Sequence, residues 1–440
     1  MIRIPPISII ARLDTTQRTL LGITVFAAIA RVGWVLYAQT LPGSDFHQYD
    51  LLAQRLANGE GYVDEFGDPS AFYAIGWPFF LSIVYRVFGY SLIAAQLINA
   101  LLSVASVILT FAIARHWFEN RTALIASLLV AINPTLILYS SIHATEPLFI
   151  FQILLLTWLL IRVFTNYNRN ELVLVGVLTG LAILVRPVAV CVPLGAFVAV
   201  YITNRHDHRA NLMKFAIIVG ISAVIVAPWV IRNAVAVGAT TLQTSSALVL
   251  WIGHNPQATG GWMPPPPLPG LDAVAKPGAG ANSTEAEASS VYTSAAIDSI
   301  LDNPSRILTL MPRKMFELWA GHRHAVTHST RQSERSFPDA VLKILPILTQ
   351  AYLVALLVLV IAAYVIKKSR IHWITGPGIS LTGMLFFWNA YHTLNYGSGR
   401  HHVPMEPFLA IMAASALSAL LLVQTDSGTI WRNFGRKDSN

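Results

Sequence analysis

The sequence predicts an all-α integral membrane protein, a bundle of about ten transmembrane helices. Three observations carry that reading. The chain is 54% hydrophobic and only 12% charged over 440 residues, with a mean hydropathy of +0.56, a composition that excludes an ordinary soluble domain. Apolar segments of spanning length recur along it, near residues 19–39, 92–114, 122–142, 146–163, 171–186, 188–203, 213–231, 345–366, 372–394 and 403–424. The basic residues that give the net charge of +8 sit in short groups between those segments, which is the pattern of membrane topology and gives no nucleic-acid surface.

Taken in order, Arg3, Arg12 and Arg18 precede the first apolar run, which lacks a small-residue cleavage site and reads as an uncleaved first span. The stretch from Ser44 to Pro78 then breaks the apolar pattern. It gathers Asp45, Asp50, Glu60, Asp64, Glu65 and Asp68 out of 22 acidic residues in the chain. Ser44 or Asp45 is a helix N-cap, Tyr49, Leu52, Ala53 and Leu56 recur at helical spacing, and Asn58-Gly59 is the stop. The pattern predicts a short amphipathic helix on the membrane surface. Ile75 to Phe88 is apolar but short, and carries Pro78 and Arg86. Read as a second surface or re-entrant helix, it leaves the loops of Arg115 and Arg121, Arg162 and Arg169, Arg205, Arg209 and Lys214, and Lys367, Lys368 and Arg370 on one side. Both termini join them there, so positive-inside bias makes that side cytoplasmic. Cys191 lies in an apolar run and reads as a small buried hydrophobe.

This topology places the acidic loop, Glu146, Arg186, Arg232, the segment after Asn233 and Arg400 on the outer face. The chain divides into a membrane core (1–232, with the first outer loop at 40–91), an extracytoplasmic region (233–344) and C-terminal spans with a short tail (345–440). Within the outer region, residues 238–270 are rich in Gly, Pro, Ser and Thr and read as a loop packed by its own aromatics. Residues 277–290 read as flexible. Helical pattern returns over 291–303 and 304–320, with Pro304 as a helix start. Pro264 to Pro267 form a stiff spacer, and Asn282-Ser283-Thr284 fits a glycosylation acceptor pattern.

The order of SDFHQYD, IGWPFFLSIVYRVFG, YSSIHATEPLF, GLAILVRP, PWVIRN, LWIGHNPQATGG and GRHHVPMEPFLAIMAA resembles the membrane-embedded GT-C type glycosyltransferases. The likeness is nearest to the protein mannosyltransferase and aminoarabinose transferase group (glycosyltransferase family 39). The resemblance implies a GT-C-like bundle and an inverting transfer of sugar from a polyprenyl-phosphate-linked donor to an extracytoplasmic acceptor, whether protein, lipid or envelope glycan. The donor is a substrate, and no separate cofactor is implied. Asp45, a few residues before Tyr49, takes the position of the catalytic base, and Glu146 that of the second acid. Such chemistry needs one carboxylate to accept the acceptor's proton and cationic side chains to hold the phosphate as charge develops on it. Arg400, Arg232 and Arg186 are the candidates for the phosphate, since guanidinium binds it bidentately. Tyr49, His47 and His401 are candidates for the acceptor or sugar pocket.

Each assignment has a structural alternative. Asp45 and Glu146 could be helix caps and nothing more, and Arg186 and Arg232 could simply snorkel at span ends. Asp50, Glu60, Asp64, Glu65 and Asp68 read as a solvated loop surface. Arg400 lies in the turn GSGRHHVP, whose backbone N–H groups also suit an anion. His401 and His402 are adjacent with no spaced third ligand, so no metal site is expected. Arg31, inside the first span, should face the bundle interior and pair with an acid. The alternative class is a secondary transporter or lipid flippase with an acidic outer vestibule. Against it stand the absence of an inverted repeat and the few ionisable residues at mid-membrane.

Overall fold

The computed structural model describes residues 13–203, 207–269, 271, 284–321, 323–374 and 378–423. Arg3, Arg12, Arg205, Asn282 and Ser283, with most of 277–290 before Thr284, lie outside those residues. Among the described residues the secondary structure is helical, with two isolated bridges, Thr40 to Ser333 and Val63 to Pro69, and no longer strand.

The N-terminal half runs α1 (Thr15–Ala38), α2 (Asp45–Asn58), α3 (Gly76–Phe88), α4 (Leu92–Trp117), α5 (Asn120–Ile132), α6 (Pro134–Tyr139), α7 (Glu146–Thr165) and α8 (Arg169–Val185). A 3-10 turn at Pro187–Val190 leads into α9 (Cys191–Thr203), followed by α10 (His208–Ala236). The outer region holds α11 (Ser245–His254), α12 (Glu285–Asp302), α13 (Ser305–Trp319) and α14 (Arg323–Thr330). The chain closes with α15 (Asp339–Val365), α16 (Lys367–Ile374), α17 (Ile379–Thr393) and α18 (Glu406–Val423).

Six described helices are long and apolar enough to cross a bilayer: α1, α4, α7, α10, α15 and the stretch Val403–Leu421. The other four expected segments form shorter helices. The one at 122–142 is interrupted where Asn133 turns out of α5, and its side chain then caps Thr135 and Leu136 at the start of α6. α3 has 13 residues, about 20 Å of helix against a hydrocarbon core of about 30 Å, the same length as α5 and α9.

Packing follows from small and apolar faces. α18 is the enclosed element, with Phe408 through Ala414 buried, and it contacts α5, α15 and α4. α1, α10 and α15 lie at the rim and leave Ile29, Val224, Ile347 and Ile361 exposed, as lipid-facing helices do. Gly176 and Gly180 bring α8 against α10, where an added Cβ would meet Ile221 and Ile225 at 2.7 Å. Arg31 is fully buried, but its partners are Ser103 Oγ (2.7 Å) and the carbonyls of Ala131 and Val130 (3.0 Å each). The expected acid is replaced by the free carbonyls and negative dipole at the C-terminus of α5.

Two readings of the outer region change. Residues 238–270 contain a regular element, α11, because Ala247 and Trp251 pack on Tyr292 and Ala296 of α12. α12 itself begins at Glu285, inside the stretch expected to be flexible, since Thr284 and Glu287 make a capping box. α13 starts after Pro304, as expected.

Candidate active site

Asp45 opens α2, whose Ser44 N-cap makes no side-chain capping bond. The Asp45 carboxylate does not cap either: Tyr73 Oη donates to its Oδ1 at 2.9 Å, and Arg400 Nη1 approaches its Oδ2 at 3.5 Å. Its side chain is 46% exposed. The chain enters α2 under constraint, with Gln39 and Ser44 at positive φ. A strap from the outer region holds that entry. Leu41 N–H donates to Gln332 O at 2.6 Å, and His328 Nδ1 meets Gln332 Oε1 at 2.7 Å. Gly43 lets the Gln332 side chain lie close, since a Cβ there would fall 2.2 Å from its amide and push that side chain aside.

Glu146, the first residue of α7, is fully buried and joins two arginines distant in sequence. Arg186 Nη2 lies 2.6 Å from Oε1 and Arg400 Nε 2.5 Å from the same oxygen. Thr145 accepts from Arg186 Nε at 2.8 Å and donates to Glu146 at 3.2 Å. A buried carboxylate shared by two guanidiniums holds its charge through those pairs and fixes both side chains in place. Arg400 is further held by its guanidinium lying 5.0 Å from the centre of the Phe46 ring.

These groups border a cavity of about 330 Å³. Asp45, Tyr49, Tyr73, Arg186, Arg400 and His401 line it, with an apolar side formed by residues such as Val188, Leu248 and Ile252. Burial lifts the Tyr49 and Tyr396 phenols to about 12 and, with Arg186 and Arg400 nearby, pushes His401 down to about 3. At neutral pH these two phenols and the His401 imidazole are therefore neutral donors and acceptors in the lining.

Of the residues read from the sequence, Asp45, Tyr49, Arg186, Arg400 and His401 come together here. Glu146 lies beneath the cavity wall, behind the two arginines, where it positions them and does not face the open space. His47 is exposed on α2 and lines no part of it. Arg232 is placed elsewhere: its guanidinium donates to Ser70 O (2.6 Å) and Tyr62 O (2.8 Å) and lies 5.2 Å from the Trp229 ring. It clamps the first loop to α10. Glu285 does the same from α12, accepting from Ser70 Oγ, Ala71 N–H and Thr244 Oγ1 at 2.6–2.9 Å. Asp50 is also corrected. Read as solvated, it is buried, accepting from Tyr85, Tyr90 (3.0 Å) and Gln54 (2.8 Å).

Sequence reasoning missed Tyr73, Tyr396 and the α14 histidines. His324 and His328 pack edge-on to Phe46, with centroids at 5.6 and 4.9 Å. Tyr73 lay in the loop already singled out, but nothing in its spacing from Asp45 announced the bond. His402 and Glu406 form a separate buried pair at 3.4 Å, with Asn133 donating to Glu406 at 2.5 Å.

With this geometry in view, comparison with known proteins is informative. Residues 73–231 match the family described as dolichyl-phosphate-mannose-protein mannosyltransferase, a stretch that includes Tyr73, Glu146 and Arg186. No curated protein matches. Among solved structures, the oligosaccharyltransferase AglB of Archaeoglobus fulgidus, in complex with an inhibitory peptide and a dolichol-phosphate, is 16% identical with a TM-score of 0.54. The match covers 96% of this chain and 52% of that one. The apo form of the Archaeoglobus fulgidus oligosaccharyltransferase gives 15% identity and a TM-score of 0.57, over 94% and 51% of the two chains. ArnT of Cupriavidus metallidurans, bound to undecaprenyl phosphate, is 14% identical over 90% of this chain and 77% of its own, with a TM-score of 0.44. This chain thus spans about half the length of the oligosaccharyltransferase chains. The fold is the all-α GT-C type of multi-pass membrane protein, and the segment 73–231 is mannosyltransferase-like.

Proposed function

We propose that this protein is an inverting glycosyltransferase that moves a sugar from a polyprenyl-phosphate-linked donor to an acceptor on the outer face of the cytoplasmic membrane. The observation that carries the reading is the pairing of a half-exposed carboxylate, Asp45, with two fixed arginines around one cavity that also has an apolar side. In the reaction, the acceptor's nucleophilic atom attacks the anomeric carbon and gives its proton to Asp45. The bond from that carbon to the phosphate oxygen breaks, and the negative charge of the departing polyprenyl phosphate is met by Arg186 and Arg400. Arg186 Nη1 makes no hydrogen bond among the described residues, so it is open to a phosphate oxygen. The apolar wall suits the first units of a lipid tail. One carboxylate is enough for such an inversion, in contrast to the pair that hydrolases use.

The test is Asp45→Asn in purified protein, assayed with a lipid-phosphate sugar donor. The amide keeps the shape and accepts from Tyr73, so membrane insertion and donor binding are expected to persist while turnover falls by about 10² to 10⁴. Near-normal turnover in this variant would remove Asp45 from the role of base.

A further inference from the structure

α14 has two working faces. His324 and His328 point to Phe46 beside the catalytic cavity, while Arg323, Val326, Thr327, Thr330 and Arg331 line a second, larger cleft of about 1110 Å³ against α15. The spacing of that second set repeats at three, four, seven and eight residues, one stripe of a helix. The cleft floor on α15 is Leu342, Pro346, Ile347, Ala351, Val354 and Ala355, which runs roughly 20 Å along the helix axis.

The chemistry of the cleft is that of an amphiphile's site. Arg323 and Arg331 are exposed at its α14 edge, and among the described residues neither guanidinium has a hydrogen-bonding or acidic partner. No carboxylate lines the cleft. α15 is a spanning helix with an uncovered apolar face, including Ile347 and Val354. The floor therefore continues into the hydrocarbon layer.

We propose that the α14–α15 cleft binds an anionic glycerophospholipid, its phosphate headgroup between Arg323 and Arg331 and its acyl chains along Leu342 to Val354. Charge complementarity selects the anionic headgroup, and the membrane-facing floor selects a lipid over a soluble phosphate. The donor lipid cannot serve both places at once, since α14 stands between this cleft and the cavity where Arg186 and Arg400 would hold the donor phosphate. This inference is independent of the proposed transfer reaction.

The experiment uses the full chain in nanodiscs of phosphatidylcholine with and without phosphatidylglycerol, with bound lipid counted by native mass spectrometry. Wild type should retain phosphatidylglycerol in preference to phosphatidylcholine, and Arg323→Ala/Arg331→Ala should lower that retention at least about tenfold, the scale of one lost charge-assisted contact. Arg335→Ala/Lys343→Ala removes the same charge from the neighbouring surface but not from the cleft lining, and should leave retention unchanged. Equal losses in the two double variants would reduce the effect to general attraction and overturn the site. Equal retention of the two lipids by wild type would also overturn it. So would displacement of phosphatidylglycerol by glycerol phosphate, which would mark a soluble ligand, or by undecaprenyl phosphate, which would reassign the cleft to the polyprenyl carrier.

Discussion

Asp45 and Asp50 stand five residues apart on the same helix, and their surroundings differ completely. Asp50 is sealed against α3 and the turn that follows it, and accepts from Tyr85, Tyr90 and Gln54, so its oxygens are committed to holding α2 down. Asp45 receives one phenol and one distant guanidinium, and nearly half of its side chain stays open to a cavity. A carboxylate suited to the proposed chemistry has its lone pairs left uncommitted while its position is still fixed, and of the two only Asp45 meets both conditions. Reactivity at Asp45 is possible because rigidity is supplied by others: Tyr73, the strap at Gln332, and Glu146 acting through Arg400.

The comparison breaks most sharply under paired substitution. Asp45→Asn should cut turnover by about 10² to 10⁴ with little change in melting temperature. Asp50→Asn should do the reverse, costing about 1–3 kcal/mol of stability through its buried partners while turnover stays within a few-fold. Measuring both quantities on both variants decides it. A larger turnover loss in Asp50→Asn would show that the two carboxylates had been assigned the wrong way round.

Next in size is Glu146→Gln. The substitution leaves two largely buried guanidiniums without their shared anion, and breaking one partner of such a cluster costs about 3–5 kcal/mol. Both arginines should lose their fixed position, so the KM for donor should rise more than in Arg400→Ala, where a single charge-assisted contact of about 1.5–3 kcal/mol is lost. Donor titrations on the two variants give the order. An unchanged KM in Glu146→Gln would show that the arginines hold their places without it.

How much of this was legible beforehand follows from the range of each interaction. The helix at Asp45, its stop at Gly59 and the starts of α12 and α13 rest on near neighbours in sequence, and the local pattern carried the existence of each, though it put the start of α12 at Val291, six residues late. The use of Arg186 and Arg400 depends on Glu146, which is 40 and 254 residues away from them, and no local pattern records such a contact. Arg232 sits at a span end like Arg186, and the local pattern does not distinguish the two, yet it turns toward the Ser70 and Tyr62 carbonyls. α14 was invisible because RHAVTHST is short and polar; it is helical because tertiary contacts with Phe46, α6 and α15 hold it there. The fold class came from composition, which needs no contacts at all.

Acid sharpens the contrast between the cavity's permanent charges and its histidines. The unfolded imidazole has a pKa near 6.5, whereas buried His401 is held near 3 in the fold. The unfolded chain therefore takes the proton first. Stability contributed at neutral pH is lost as pH falls below about 6.5 and goes on being lost down to about 3, by up to roughly 1.4 kcal/mol per pH unit. Thermal melts of wild type and His401→Asn between pH 7 and about pH 4 should converge on the acid side, with the variant losing less. Parallel curves would mean that His401 makes no contribution to the acid sensitivity.

The smallest expected effect tests how Asp45 is aimed. Tyr73→Phe keeps the ring against Tyr49 and Phe72, where it packs at 4.8 Å in both pairs, and removes only the hydroxyl that donates to Asp45. A hydrogen bond of this kind contributes about 0.5–1.5 kcal/mol, so turnover should fall by roughly 2- to 12-fold. KM for the donor should stay close to wild type, because the arginines that would hold its phosphate do not touch Tyr73. His47→Ala, two residues from Asp45 on the exposed side of α2 and outside the cavity lining, is the reference for a change on this helix that reaches nothing, within about 0.5 kcal/mol in any measure. If Tyr73→Phe matched His47→Ala in kcat, Asp45 would be oriented by Arg400 alone, and the open side of the carboxylate would be wider than its single phenol contact now implies.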